Sequence, residues 1–70
     1  MQNSEMLKVL MWLEKNGEKA VVFTANGFQL HGTVKRVSGD SFVMVCDSKP
    51  NVVNIHNVST VVPPRKYLEE

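Results

Sequence analysis

The sequence contains very little cysteine. Cys46 is the one cysteine among 70 residues, so no disulfide can form within the chain. His31 and His56 are the two histidines, and with one thiol they do not complete a closed zinc site of four ligands. We therefore expect no metal and no other cofactor. Because a chain this short buries little core, we expect it to gain stability by forming oligomers.

Long hydrophobic runs are also missing. No apolar stretch approaches the roughly 18 residues that a membrane-spanning helix needs. The N-terminus lacks the basic start and apolar segment of a secretory signal. These two absences predict a soluble, cytoplasmic protein with no membrane partner.

The chain has no large excess of charge of either sign. Eight basic residues face seven acidic ones, which gives a net charge of +1, whereas nucleic-acid binders usually carry a clear basic excess. A symmetric oligomer would repeat each cation around its axis and could concentrate positive potential at a pore or rim. The charge balance therefore does not exclude RNA as a partner.

Catalytic patterns are absent as well. The sequence shows no pair of acids placed for general acid and base work, no nucleophile beside a base and no glycine loop that would hold a phosphate. We predict that the chain is not an enzyme.

The N-terminal part has the pattern of an amphipathic helix over about residues 4–16. Asn3 or Ser4 is a suitable cap, and an Asn-Gly pair ends the segment. Met11 and Trp12 fall beside the apolar stripe, where they either pack at its edge or contact a partner. A helix this short is marginal alone, so its stripe must pack against the rest of the fold; that stripe consists of Met6, Val9, Leu10 and Leu13.

From Lys19 onward the apolar pattern has a period of two, which is typical of strands. Residues 20–25 form the first predicted strand, and Asn26-Gly27 predicts a type I′ hairpin turn. The next strand extends to about Ser38, and Gly32 in its middle predicts a sharp bend. One predicted face of this strand is Phe28, Leu30, Gly32 and Val34, and the other is Gln29, His31, Thr33 and Lys35.

Three further strands follow. We predict a strand over 41–47, a turn over 48–51, and two short strands over 52–55 and 58–62 that end at Pro63-Pro64. The whole is mainly β, with an N-terminal α-helix followed by a five-stranded, strongly bent antiparallel SH3-like barrel. We expect one domain over residues 1–70, with the helix at about 4–16, the barrel at about 19–63 and a short tail at 64–70.

The valine-rich final strands of this barrel would leave open sheet edges, which proteins normally pair, cover or charge. Pairing of the fourth strand with the fifth strand of the next copy would close a ring. The residues leave the number of subunits open.

Two segments carry a resemblance to a known family. The first is Asn26-Gly27-Phe28-Gln29-Leu30 with Gly32, and the second is Ser59-Thr60-Val61-Val62-Pro63 with Arg65. In this order behind a helix, they resemble the Sm-like proteins, and among them the Gram-positive members of the Hfq family, over about residues 6–65. The resemblance implies an Sm fold, a hexameric ring and an RNA chaperone that aids regulation of mRNAs by small RNAs.

The resemblance also implies two RNA-binding faces. On the distal face, purines stack on aromatic and apolar side chains, and A-rich single strands are preferred. Phe23, Phe28 and Leu30 match the stacking positions, and the nearby polar and backbone positions are Gly27, Gln29, His31, Asn51 and Thr60. Stacking needs no net positive charge. On the residues alone, Phe23 and Phe28 could equally belong to the core.

On the proximal face, the resemblance implies uridine pockets to which Phe42 and His56 would contribute. The family's Tyr-Lys-His-Ala is replaced here by Asn54-Ile55-His56-Asn57, so the lysine is lost. Loss of this cation predicts preference for A-rich over U-rich RNA, and a lysine introduced at position 55 is expected to improve uridine binding. His56 could instead be a simple turn residue.

A second hypothesis is a structural or protein-interaction barrel that has lost RNA binding. It is motivated by Ile55, by the low net charge and by the end of the helix, where Lys15 is the sole cation of the segment Glu14-Lys15-Asn16-Gly17.

Overall fold

The structure, a computed structural model, describes residues 4–69. Its elements in chain order are the helix α1 (Ser4–Asn16), the strands β1 (Lys19–Thr24), β2 (Gln29–Ser38), β3 (Ser41–Cys46) and β4 (Lys49–Asn54), a 3-10 turn (Ile55–Asn57), β5 (Val58–Val62) and a second 3-10 segment (Arg65–Glu69). The predicted helix cap, Asn3 or the side chain of Ser4, lies outside the described part of the chain.

Helix α1 packs on the sheet through the predicted stripe. Leu10 and Leu13 are fully buried, Val9 is 7% exposed, and Met6 is partly buried against them. The amide of Gly17 donates to the carbonyl of Leu13 at 2.9 Å, and its positive φ of 64° ends the helix as predicted. Because the helix lies over the sheet, its apolar side chains complete a core that the strands alone would leave open.

The five strands form one antiparallel sheet in the order β4-β3-β2-β1-β5. Strand β2 serves both halves, because residues 29–33 pair with β1 and residues 33–38 pair with β3. A Cβ at Gly32 would collide with the carbonyl oxygen of Val45, and a register shift follows between Val34 and Arg36. The glycine permits this close approach, so the predicted bent sheet is confirmed.

The β1–β2 turn differs from the predicted type I′ turn. Of Asn26 and Gly27, which the prediction placed at the centre of the turn, only Gly27 has a positive φ, at 91°. Its amide donates to the carbonyl of Thr24 at 3.0 Å, which describes a type I turn followed by a glycine bulge. A three-residue connection of this kind needs a left-handed residue at its end, which Gly27 supplies, so the predicted hairpin position was correct and the turn type was wrong.

The β3–β4 turn lies earlier than predicted. Asp47 and Ser48 both adopt positive φ, at 52° and 67°, and make a two-residue turn. Residues 49–51, which were predicted to form the turn, belong to β4 and pair with β3. Pro50 pairs with Val45. Pro50 is tolerated because β4 is an edge strand.

The C-terminal residues, predicted as a short tail, form a 3-10 segment at Arg65–Glu69. The ring of Tyr67 meets the ring of Trp12 edge to face, with centroids 5.3 Å apart and planes at 82°. The Tyr67 hydroxyl donates to the carboxylate of Glu5 at 3.0 Å, and Lys66 pairs with Glu18 at 3.2 Å. Trp12 therefore packs at the edge of the helix interface, as the first of its two predicted alternatives stated.

Candidate nucleic-acid interface

One face of the sheet carries most of the polar residues predicted for the distal site. Strand β1 lies between β2 and β5, and Phe23 pairs with Gln29 on one side and Thr60 on the other. Directly paired residues point to the same side of a sheet. The next row in the same orientation is His31, Val21 and Val62. We call this surface the outer face; its six residues are Val21, Phe23, Gln29, His31, Thr60 and Val62.

The outer face is accessible and partly polar. Gln29, His31 and Thr60 are exposed, and the ring of Phe23 is half-buried among them. The Nε2 atom of His31 lies 3.3 Å from Oε1 of Gln29, and the hydroxyl of Ser59 donates to the carbonyl of Phe23 at 3.2 Å. The face thus presents an aromatic side chain flanked by hydrogen-bonding groups, which is a suitable arrangement for a base.

The remaining predicted distal residues lie elsewhere on the subunit. Leu30 pairs with the fully buried Val22, so it points to the core side of the sheet. Phe28 precedes β2 and is 66% exposed. Both line a cavity of 250 Å³ beside β4, which we call the asparagine pocket; its lining residues are Thr24, Asn26, Phe28, Leu30, Asn51, Val52, Val53, Asn54 and Asn57.

Two further predicted residues belong to the surroundings of the asparagine pocket. The side-chain amide of Asn51 donates to the carbonyl of Lys49 at 3.1 Å, which fixes its orientation on β4. Gly27 is exposed in the β1–β2 turn. One subunit therefore holds the predicted distal residues as two separate groups, one ending at edge strand β5 and the other at edge strand β4.

The residues predicted for the proximal pocket do not form one in the subunit. Phe42 is 1% exposed and belongs to the core, so its ring presents no open face in the single subunit. The sequence pattern could not reveal this, because residues 41–47 are apolar on both faces of the strand. His56 is the one member of the predicted pair that solvent reaches.

The position of the family's lysine is also part of the core. Ile55 is 4% exposed, and its amide donates to the carbonyl of Asp40 at 2.8 Å. The side chain of Asn54 accepts from the amide of His56 at 2.8 Å and caps the short 3-10 turn. The side chain at this position therefore points inward in this subunit, and it carries no charge.

A groove next to the outer face was missed by the sequence interpretation. It measures 610 Å³, and its polar lining includes Lys19, His31, Thr33, Asp47 and Ser48. Lys19 pairs with Thr33, so the two belong to the row after His31 and Val21. We call it the outer groove. The alternation of β1 could have placed Lys19 there, but Asp47 and Ser48 depend on the unpredicted β3–β4 turn.

Cys46 lies between the groove residues Val45 and Asp47 in the chain. Its thiol is a poor nucleophile. Burial raises the pKa of Cys46, the nearby charge of Asp47 raises it further, and a hydrogen bond from the backbone of His31 opposes them. A raised pKa keeps the thiol protonated at neutral pH. Within residues 4–69, no three His, Cys, Asp or Glu side chains are grouped closely enough to hold a metal ion.

Within the described residues, no helix is both long enough and apolar enough to cross a bilayer.

Comparison with known proteins identifies relatives over nearly the whole chain. The chain is similar to the RNA-binding protein Hfq of Clostridium beijerinckii, with 35% identity over 54 residues that cover 77% of this chain and 67% of that protein. It is also similar to the RNA-binding protein Hfq of Oceanobacillus iheyensis, with 37% identity over 51 residues, or 73% and 69% of the two chains.

A solved structure shares the fold. It is a crystal structure of the pleiotropic translational regulator Hfq, which superimposes with a TM-score of 0.77 at 24% identity and covers 83% of this chain and 97% of that one. The family described as Hfq protein matches residues 7–68. The resemblance noted in the two sequence segments is thereby confirmed, and the chain belongs to the Hfq family.

Proposed function

We propose that the chain assembles into a homo-oligomeric, hexameric ring that binds single-stranded A-rich RNA and acts in the cytoplasm as an RNA chaperone in small-RNA regulation. The role is one of binding and not of catalysis. The relatives named RNA-binding protein Hfq support the RNA. The single observation that carries the site is the row Gln29, Phe23 and Thr60 across three neighbouring strands.

The two edge strands of the sheet support the proposed ring. β4 and β5 each have one neighbour in the sheet, and their free backbone groups need partners. Val52 on β4 is 78% exposed and Val62 on β5 is 45% exposed. Pairing β5 of one copy with β4 of the next would satisfy both edges and cover apolar surface. Because this contact is head to tail, it closes into a ring when its rotation divides the circle.

The same pairing would join the two halves of the RNA site. Thr60 and Phe23 of one subunit would then lie beside Asn51 and Phe28 of the next. A base between them can stack on an aromatic ring, which contributes about 1 to 3 kcal/mol per base. An asparagine amide can also form paired hydrogen bonds with N6 and N7 of adenine. Because a purine also presents a larger ring system for stacking than uracil does, we propose that the site favours adenine.

The candidate proximal site gives a second reason to propose a preference for A-rich over U-rich RNA. With Phe42 and Ile55 both in the core, the candidate proximal site retains the exposed His56 alone. A stacking surface and a permanent cation are each missing there. We therefore propose weak uridine binding.

The alternative function, a protein-interaction barrel without RNA binding, is favoured by this burial and by the net charge of +1. It predicts the same ring without measurable affinity for either RNA.

The test combines assembly and binding. Native mass spectrometry gives the subunit number, and fluorescence anisotropy compares short oligo-A and oligo-U at two salt concentrations. We expect tighter binding of oligo-A, and we expect Phe23→Ala to weaken it by about 10-fold or more while the ring persists. Met11→Ala is the matched control, because Met11 is 58% exposed on the helix.

Three outcomes would contradict the proposal. A stable monomer at micromolar concentration removes the ring. Equal or tighter binding of oligo-U removes the adenine preference. An intact ring that binds neither RNA supports the protein-interaction barrel.

A further inference from the structure

The C-terminal segment, residues 65–69, covers part of helix α1 and has no role in the RNA site proposed above. The ring of Tyr67 packs edge to face on the ring of Trp12, and its hydroxyl donates to the carboxylate of Glu5. Lys66 pairs with Glu18. The two polar contacts join residues that are 62 and 48 positions apart in the chain. The segment thus binds the helix in the way that a separate peptide would.

The C-terminal segment is held more weakly than the strands. None of its residues is buried, and Leu68 is 85% exposed. The pair of Lys66 and Glu18 is open to solvent, with 61% and 33% of the two side chains exposed, and such pairs contribute little to stability. Segments with few buried contacts open locally without unfolding the rest of a protein. The C-terminal segment should therefore leave α1 while the sheet stays folded.

The packing of Trp12 leaves one polar atom unpaired. Its indole Nε1 atom is buried, and no group within the described residues accepts a hydrogen bond from it. A buried donor without an acceptor is unfavourable, because the same donor would be hydrogen-bonded in water. A segment that brought an oxygen atom to Nε1 would gain a hydrogen bond that Tyr67 does not provide. The C-terminal segment is therefore an occupant that a better ligand can replace.

Opening of the segment would expose a surface of two carboxylates and one aromatic ring. We call it the acidic face; its residues are Glu5, Trp12 and Glu18. Among the described residues, Glu5 and Glu18 would lose the hydroxyl and the ammonium group that are their only side-chain partners. Lys8 and Lys15 are exposed on the same helix, but neither forms an ion pair within residues 4–69. The two carboxylates thus become available to a cation and to a neutral donor, and they would repel the phosphates of RNA.

We propose that the acidic face is a docking site for a protein segment with a basic residue next to an aromatic one, and that the C-terminal segment is its built-in competitor. The partner's aromatic ring would pack on Trp12, its cation would pair with Glu18, and a hydroxyl or amide would donate to Glu5. Docking then requires the C-terminal segment to open, so the fold itself limits access to the site. The inference concerns a protein partner and goes beyond the proposed RNA binding.

The experiment uses a synthetic peptide with blocked ends that copies residues 63–69. Binding to the full chain is followed through the emission of Trp12, the sole tryptophan. Apparent affinity falls with the fraction of sites that are open. We expect Tyr67→Ala to bind the peptide about 10-fold more tightly than the unaltered protein, as for a segment that is closed about nine-tenths of the time. Lys66→Gln, which removes the pair with Glu18, should tighten binding by a smaller factor.

Matched variants separate docking from damage to the fold. Leu68→Ala removes an exposed side chain of the same segment and should leave the affinity at the unaltered level. In the Tyr67→Ala protein, Glu5→Gln and Glu18→Gln should each weaken peptide binding by about 2- to 5-fold, whereas Lys8→Gln should not weaken it. A peptide that itself carries Tyr67→Ala should bind about 10-fold more weakly. Native mass spectrometry checks that all variants keep the same assembly.

Two results would overturn the inference. The first is absence of peptide binding to both Tyr67→Ala and Lys66→Gln, which would show that α1 offers no docking site. The second is equal peptide affinity of these variants and the unaltered protein, which would show that the C-terminal segment does not compete for the site. Because no RNA is present in the experiment, neither result bears on the proposed function.

Discussion

Phe23 and Phe42, to both of which the family resemblance assigns base stacking, occupy very different surroundings in this subunit. Phe23 lies in the centre of the outer face, half-buried between Gln29 and Thr60. Phe42 pairs with Val37 and Val53, and it is buried in the core that α1 completes. The fold thus leaves one face of β1 open to a ligand and covers the inner face of β3.

The other residues predicted for the two binding sites show the same contrast between an open face and the core. Beside Phe23, Gln29 and His31 remain exposed and lie within 3.3 Å of each other. In the 3-10 turn, Ile55 points into the core, whereas His56 and Asn57 are exposed. A strand with one open face can change its outward residues without disturbing the core. In a turn that contributes a residue to the core, a change of that residue disturbs the packing.

The largest expected effect tests this contrast directly. Phe42→Ala removes a fully buried ring and should lower the free energy of unfolding by about 3 to 5 kcal/mol. Phe23→Ala removes the same atoms from a half-exposed position and should cost about 1 kcal/mol. Urea unfolding monitored by circular dichroism gives both values. Each should be measured at one fixed protein concentration, because assembly contributes to stability.

Equal losses for the two variants would contradict the comparison. They would mean that the Phe23 ring also supports the core, and a loss of RNA affinity in Phe23→Ala could then reflect damage to the fold.

A somewhat smaller effect is expected from Ile55→Lys. A lysine at this position must either bury its charge or extend its stem to reach solvent, so we expect a loss of about 2 to 4 kcal/mol and no gain in oligo-U binding. This result would replace the sequence-based expectation that such a lysine improves uridine binding. Ile55→Val is the control, with an expected loss of about 0.5 to 1.5 kcal/mol. A stable Ile55→Lys ring with improved oligo-U binding would show that the position can face outward.

Periodic patterns made much of this fold predictable. The helical stripe ending at Leu13 and the alternation of β2 each specify a buried and an open side, and the structure follows both. Gly32 could be assigned to a bend because a strand interior rarely includes glycine without a close contact. The same alternation correctly grouped Gln29 and His31 on one side of the sheet.

The remaining features depend on contacts between distant segments. An apolar strand such as residues 41–47 has no pattern that separates its two faces, so the burial of Phe42 could not be predicted. Asp47 and Ser48 adopt positive φ although neither is glycine, so the turn was predicted too late in the chain. The docking of Tyr67 on Trp12 joins the two ends of the chain, and no local pattern contains that information.

The smallest expected effect concerns this C-terminal contact, a third region that is neither an open face nor a core. The hydrogen bond to the Glu5 carboxylate raises the pKa of Tyr67, and partial desolvation and the charge of Glu5 act in the same direction. A raised pKa means that the contact stabilises the folded chain below the ordinary tyrosine range, and that this contribution is lost as the pH rises through the raised value. Tyr67→Phe should therefore lower stability slightly at neutral pH and abolish the further loss in alkali.

Tyr67 and Trp12 are the only tyrosine and tryptophan of the chain, so tyrosinate absorbance and tryptophan fluorescence report on this one contact. We expect the fluorescence of Trp12 to change along the same alkaline titration curve as the absorbance of Tyr67. Glu5→Gln replaces the charged acceptor with a weaker neutral one and removes the negative charge, so it should shift both curves to lower pH. If the two curves separate, or if Glu5→Gln leaves them in place, the C-terminal segment does not dock on α1 through this hydrogen bond.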